Sequence, residues 1–204
     1  MNYWDELMGT DEGAAQYMET YGEGPGSDTR KVLGQFINDG ESVLDVGSGP
    51  GWNFDHFMKY GPQISYYKGV DYSERFVRVA NQRWPGKYEL GDCRHLRQSD
   101  NEFDVVLLQD VLEHTNGYKK PILEALRVAK KRVIIVFWKT FRQPGTGDQI
   151  NEDGNDGFGS NYEQEPFEAF LDSLDYFWCD TETPEGANRW HKYYIIDKEE
   201  KYED

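Results

Sequence analysis

The run Val43-Leu44-Asp45-Val46-Gly47-Ser48-Gly49-Pro50-Gly51 holds the residues best suited to chemistry. Asp45 sits in an apolar stretch, and Gly47, Gly49 and Gly51 alternate behind it. Glycine takes positive φ and lets a ligand approach the main chain. A helix opening there turns its unbonded N–H groups and positive end toward such a ligand. A dinucleotide fingerprint, G-x-G-x-x-G, needs its third glycine at position 52, where Trp52 stands. A P-loop needs G-K-[ST], which the sequence lacks. The plain alternative for these residues is a tight structural turn.

Other polar groups recur behind apolar runs. Asp71 closes Gly69-Val70-Asp71-Tyr72-Ser73, and Asp92 and Cys93 follow Gly91. Gln109, Asp110, Glu113 and His114 follow Phe103–Leu108. His114 titrates near neutrality and is the one candidate base; packing in its turn is the alternative. Glu113 reads as a helix-start acid, and Cys93 as an inert buried thiol.

These residues need elements to hold them, and the pattern supplies them. Strands are expected at 42–46, 66–71, 87–90, 103–108 and 132–137. A helix over 52–60 sets Phe54, Phe57 and Met58 on one side. A second, capped by Ser73, carries Phe76, Val77, Ala80 and Trp84, and Pro85-Gly86 stops it. A third carries Ile122, Leu123, Leu126 and Ala129, with Lys130-Lys131-Arg132 at its end. Strand alternating with helix predicts βαβ units and a parallel sheet covered on both faces. Beyond 143–162, a loop rich in Gly, Asn and Asp, come a helix at 166–174 and strands at 176–183 and 189–197. Residues 1–21 suggest one or two loose helices, and 29–37 a firmer one.

The length of 204 residues suits one domain. The chain carries 22 Lys+Arg against 38 Asp+Glu, a formal net charge of -16. So acidic a surface repels phosphate backbones and anionic lipid, which argues against nucleic-acid and membrane partners. Aromatics reach 15%, more than a disordered chain carries. Two distant cysteines, Cys93 and Cys179, make no disulfide framework or zinc site and point to a reducing, cytoplasmic setting. The first residues show no signal peptide and no apolar run reaches a membrane span.

The order D-x-G-x-G-x-G at Asp45–Gly51 resembles the first motif of the class I S-adenosylmethionine-dependent methyltransferases. Gly69–Ser73, Gly91–Cys93 and the stretch Phe103–His114, with its L-E-H ending, resemble that family's next motifs in order and spacing. The likeness spans about residues 40–138, and the L-E-H ending is similar to the small-molecule, methyltransferase type 11-like branch. It implies a Rossmann-like, doubly wound α/β fold: a mostly parallel seven-stranded sheet with an antiparallel last strand. It implies S-adenosyl-L-methionine as cofactor, cradled by Asp45, Gly47, Ser48, Gly49 and Gly51. Asp71 would meet the ribose, since a carboxylate accepts two bonds from a diol, and Tyr72 beside it is a further cofactor-binding candidate. Asp92 and Cys93 would meet adenine, and Gln109 or Asp110 the methionine part, with solvation or capping as the alternative for these two. The implied reaction is in-line methyl transfer to a small-molecule acceptor, with His114 as base where the nucleophile holds its proton.

On this reading residues 1–204 form one domain. Residues 1–40 are N-terminal helices, with Tyr17, Tyr21 and Gly22–Gly26 as a lid or a frayed end. Residues 41–138 are the cofactor core, 139–165 an acidic loop, and 166–204 a helix and strand pair. Trp138, Phe141, Phe158 and Tyr162 form either an acceptor pocket or core. Asn151–Gly157 is similar to a calcium loop but lacks its glycine and glutamate, so no metal is expected. The alternatives in function are a non-catalytic cofactor-binding or partner module of the same fold and a nicotinamide-dependent oxidoreductase.

Overall fold

The computed structural model describes residues 3–21, 27–138, 141–150, 159–185, 187 and 190–199. The strands are β1 (Ser42–Val46), β2 (Tyr66–Asp71), β3 (Tyr88–Leu90), β4 (Phe103–Gln109), β5 (Ala129–Phe137), β6 (Phe177–Glu182) and β7 (Lys192–Asp197). The helices are α1 (Tyr3–Met8), α2 (Asp11–Tyr21), α3 (Asp28–Gly34), α4 (Trp52–Lys59), α5 (Glu74–Arg83), α6 (Lys119–Val128) and α7 (Gln164–Asp172). The sheet order is β3-β2-β1-β4-β5-β7-β6. β7 runs antiparallel to β5 and β6, and the remaining pairs are parallel. This is the expected seven-stranded sheet.

Apolar runs in β1, β4 and β5 feed both faces, because successive side chains alternate. Val43, Val105, Leu107 and Ile134 pack with Leu33 of α3 and Phe54 and Phe57 of α4. Leu44, Val106, Leu108 and Ile135 pack with Ile122 and Leu126 of α6 and Phe167 and Leu171 of α7. α1 and α2 lie beside α5, where Met8, Ala14, Phe76 and Val79 share a small third core.

Several local expectations change. Met58 and Leu123 are 58% and 50% exposed, because they fall outside the buried stripes of α4 and α6. Ala129 opens β5 instead of ending α6. Lys131 and Arg132 therefore serve strand-end acids: Lys131 pairs with Glu41 and Asp104, and Arg132 with Asp197. Glu113 does lie in the first turn of a short 3-10 helix, Leu112–His114, but it has a second duty. It is buried and accepts the Trp138 N–H at 2.9 Å, tying the turn after β4 to the end of β5. Tyr162 is core: its hydroxyl donates to the Leu112 carbonyl at 2.7 Å. Phe141 packs on the same core, whereas Trp138 is 40% exposed. Phe158, the calcium-like run, Gly22–Gly26 and the side chains of Tyr17 and Tyr21 lie outside the described residues.

Candidate functional site

From β1 the chain goes to β2 on one side and later to β4 on the other. That reversal opens a crevice at the carboxyl ends of β1 and β4, where open α/β sheets take ligands. Val46 pairs with Leu108, so Gly47 and Gln109 stand one residue beyond the paired edge. The three glycines there have φ of 72°, 51° and 94° at Gly47, Gly49 and Gly51. A side chain on Gly47 would strike Val111, and one on Gly51 would strike the Tyr88 hydroxyl. At Gly49 an added Cβ would meet no atom of the described residues within 4 Å. Gly47 and Gly51 are therefore demanded by packing, while Gly49 faces open space.

Asp71 holds this turn. Its Oδ2 accepts the Gly49 N–H at 2.8 Å and its Oδ1 the Ser73 N–H at 2.8 Å. Burial raises its pKa to about 6, against the hydrogen bonds that favour the charge. Asp45 lies at the end of β1, 1% exposed. Its Oδ2 accepts from the Tyr67 hydroxyl at 2.6 Å and the Asn53 amide at 3.1 Å. Burial again raises the pKa to about 6, opposed by those bonds and by Arg30. Two carboxylates that each resist ionisation thus stand at one sheet edge, a pattern concentrated at functional sites.

Asp92 behaves oppositely. Burial pushes its pKa up, but Arg94 holds it below the ordinary value. Arg94 gives Asp92 a bond from Nη2 at 2.7 Å and from its backbone N–H at 2.8 Å. Burial raises the Cys93 thiol to about 12, so it is inert near neutrality. Tyr72 is exposed, and among the described residues the buried Oε1 of Gln109 and Oγ of Ser48 have no hydrogen-bond partner. An orphaned buried acceptor is costly, by about 1–3 kcal/mol, and suits a ligand site. His114 is half-buried in a 3-10 turn, Leu112–His114, with the Trp4 ring edge-on at 5.1 Å.

Other residues at this edge escape sequence reasoning. Asp5 of α1 accepts the Ser73 hydroxyl at 2.6 Å and the Arg75 N–H at 3.1 Å. Arg30 lies over the Trp52 ring, 5.4 Å from its centroid. His191, buried before β7, reaches Thr29 and Asp110. None belongs to a local motif; chain topology alone brings them here. Away from the crevice, a cavity of about 420 Å³ lies beside α7 and β7, lined by Phe141, Arg142, Glu168, Glu182, Trp190 and Lys192. Among the described residues no group of three or more His, Cys, Asp or Glu could hold a metal ion, and no helix is long and apolar enough to cross a membrane.

The family described as a methyltransferase domain matches residues 44–137, the span that builds the crevice. The matched span and the sheet order are similar to methyltransferase domains of the class I, S-adenosylmethionine-dependent type, a class whose cofactor is S-adenosyl-L-methionine. The chain is similar to phosphoethanolamine N-methyltransferase 1 of Zea mays, 29% identical over 126 residues, 55% of this chain and 24% of that protein. It is also similar to norajmaline N-methyltransferase of Rauvolfia serpentina, 34% identical over 47% of this chain and 35% of that protein. It thus spans well under half the length of these curated relatives. Among solved structures, phosphoethanolamine N-methyltransferase 2 of Haemonchus contortus, held with phosphomonomethylethanolamine and S-adenosylhomocysteine, gives a TM-score of 0.72 at 16% identity, over 96% of this chain and 59% of that one. Magnesium protoporphyrin IX methyltransferase from Synechocystis PCC 6803, with S-adenosylhomocysteine, gives 0.66 at 17% identity over 95% and 96%. At these identities both are likenesses of fold.

Proposed function

We propose that this chain transfers the methyl group of S-adenosyl-L-methionine to a small-molecule acceptor. The observation that carries it is Gly49: a left-handed glycine with open space before it, bonded to Asp71, inside the matched span. The residues fit the cofactor's chemistry. Asp71 offers carboxylate oxygens to a diol, and Gly47–Gly51 offer bare main chain. Asp92, kept ionised by Arg94, suits an amino group, and Cys93 adds a backbone N–H beside it. Ser48 and Gln109 bring buried acceptors, and Asp45 braces the turn.

When bound, the cofactor supplies a methyl already activated by its positive sulfur. The chain's work is then to hold the acceptor in line and exclude water. Where the acceptor is an alcohol or phenol, His114 takes its proton; a neutral amine needs positioning alone. Phosphoethanolamine and norajmaline, named for the relatives, are small amines and support a small acceptor. The net charge of -16 supports the same class against phosphate backbones. One domain of 1–204 is supported by α1 docking on α5 and β7 pairing with β5.

The test is transfer of label from methyl-labelled S-adenosyl-L-methionine to a panel holding phosphoethanolamine, a tertiary-amine alkaloid and a phenol. Label on a small product supports the reading. Cofactor binding with no transfer to any panel member would favour a non-catalytic module.

A further inference from the structure

The cavity beside α7 and β7 takes no part in the crevice, yet at about 420 Å³ it has the volume of a small-molecule site. Strand register places it. Lys192, one of its lining residues, pairs with Phe137 at the carboxyl end of β5, and β7 lies two strands from β4. The cavity therefore meets the same edge of the sheet as the crevice, on the order of 10 Å along it from β4.

Its walls are of two kinds. Phe141 and Trp190 are aromatic. Phe141 is set against Phe137 and Phe167, with ring centroids 5.1 and 5.9 Å away. Trp190 is tethered, its Nε1–H donating to Glu182 at 2.9 Å. The charged wall is unequal, with Glu163, Glu165, Glu168 and Glu182 against Arg142 and Lys192. Lys192 is buried and already neutralised, with Asp180 at 2.9 Å and Glu182 at 3.5 Å. Arg142 donates to neutral partners, Gln149 and Thr146. Glu163 is occupied by the Gly145 and Gly147 N–H groups. That leaves Glu165 and Glu168, neither of which pairs with a Lys or Arg among the described residues. Glu168 is held at one oxygen: Oε1 accepts the Tyr194 hydroxyl at 2.8 Å and the Gln164 amide at 2.7 Å, which leaves Oε2 for a donor from the cavity. Burial, and then Glu168 itself, pushes the Tyr194 phenol well above its ordinary value, so it stays a donor.

A fixed carboxylate beside aromatic faces in a concave site is the setting that a cation on an apolar stem requires. The rings attract the charge and the carboxylate takes its N–H donors. An anion would meet the surplus of acids instead. We propose that this cavity binds an organic ammonium ligand, with Glu168 and Glu165 taking the ammonium and Phe141 and Trp190 the apolar stem. Binding there is read with no cofactor present, so its failure leaves the cofactor reading untouched. The ammonium has two sources, the remote end of the acceptor or a separate amine.

The test is calorimetric titration in about 0.15 M salt with tyramine and with tyrosol, its neutral counterpart. Tyramine should bind saturably and about 10-fold or more tighter than tyrosol. Glu168→Gln keeps an acceptor for Tyr194; it should weaken tyramine by about 3- to 10-fold and leave tyrosol unchanged. Glu165→Gln, at an exposed position where the fold tolerates the change, should do the same. Trp190→Ala should weaken both ligands. Label transfer to tyramine, whose phenol lies at the opposite end from its ammonium, then assigns the source. A methylated phenol, with KM raised in Glu168→Gln and kcat kept, makes the cavity the anchor of the acceptor. Binding without product makes it the site of a separate amine. Equal affinity for tyramine and tyrosol, or undiminished tyramine affinity in folded Glu165→Gln and Glu168→Gln, would overturn the proposal.

Discussion

At the scale of single residues, the strand-end acids carry opposed duties. Asp71 is buried with its pKa raised to about 6, so its charge is unfavourable in the ligand-free fold yet suited to a diol. Asp71→Asn should therefore weaken S-adenosylhomocysteine by about 10-fold or more while the melting temperature at pH 7 holds or rises. A parallel fall in both would mark Asp71 as structural. Asp45 gives a pH prediction. Its pKa rises from 3.8 to about 6 on folding. Between those values the folded chain binds more protons than the unfolded one, so this contribution is full below the lower value and is lost as pH rises through the upper. Asp45→Asn should thus gain stability relative to the parent from pH 4 to pH 7, by on the order of 2–3 kcal/mol. Denaturant titrations at several pH values read this out, and a difference flat with pH would contradict it. The glycine spacing is legible in the sequence, but the division of labour is not. Val111 and Tyr88, which demand Gly47 and Gly51, come from other strands' ends. His191 and Arg30 are likewise silent, since no local pattern links residue 30 or 191 to the turn at 47–51.

At the scale of elements, the strands were the most legible part. Ser42–Val46 and Tyr66–Asp71 match the expected ranges, because β-branched and apolar runs ended by glycine or acid leave little choice. Ser73 caps α5 as expected, its Oγ accepting the Phe76 N–H at 3.2 Å. The cap has a second function that the sequence hides: the same hydroxyl donates to Asp5 of α1. Ser73→Ala should lower stability by about 1–2 kcal/mol, or several degrees of melting temperature for a chain this size. Asp5→Ala should cost less than this globally but speed proteolytic cleavage around residues 8–10. Cleavage no faster than in the parent would show that Asp5 does not anchor α1. The α6–β5 junction departs from the helical pattern for a physical reason. Ala129-Lys130-Lys131 has helix propensity, but pairing of Phe103 with Ala129 and of Val105 with Arg132 overrides it.

At the scale of the whole molecule, the net charge of -16 sits on a sheet with two dry faces. The acids divide into groups at the crevice edge, pairs such as Lys131 with Asp104, and a solvated remainder. Self-repulsion among that remainder works against the compact state. Raising salt from about 0.05 M to about 1 M shortens the Debye length from more than 10 Å to about 3 Å. The melting temperature should rise over that range. A fall would mean that favourable ion pairs outweigh the repulsion.

The central claim is that the carboxyl edge of β1 and β4 binds S-adenosyl-L-methionine through the Gly49–Asp71 turn. Calorimetric titration of the unaltered chain and of Gly49→Val, with S-adenosylhomocysteine and with NADH, tests it most directly. The account predicts saturable binding of S-adenosylhomocysteine to the unaltered chain, its loss in a folded Gly49→Val variant, and no binding of NADH. Binding of NADH without S-adenosylhomocysteine, or undiminished affinity in Gly49→Val, would contradict it.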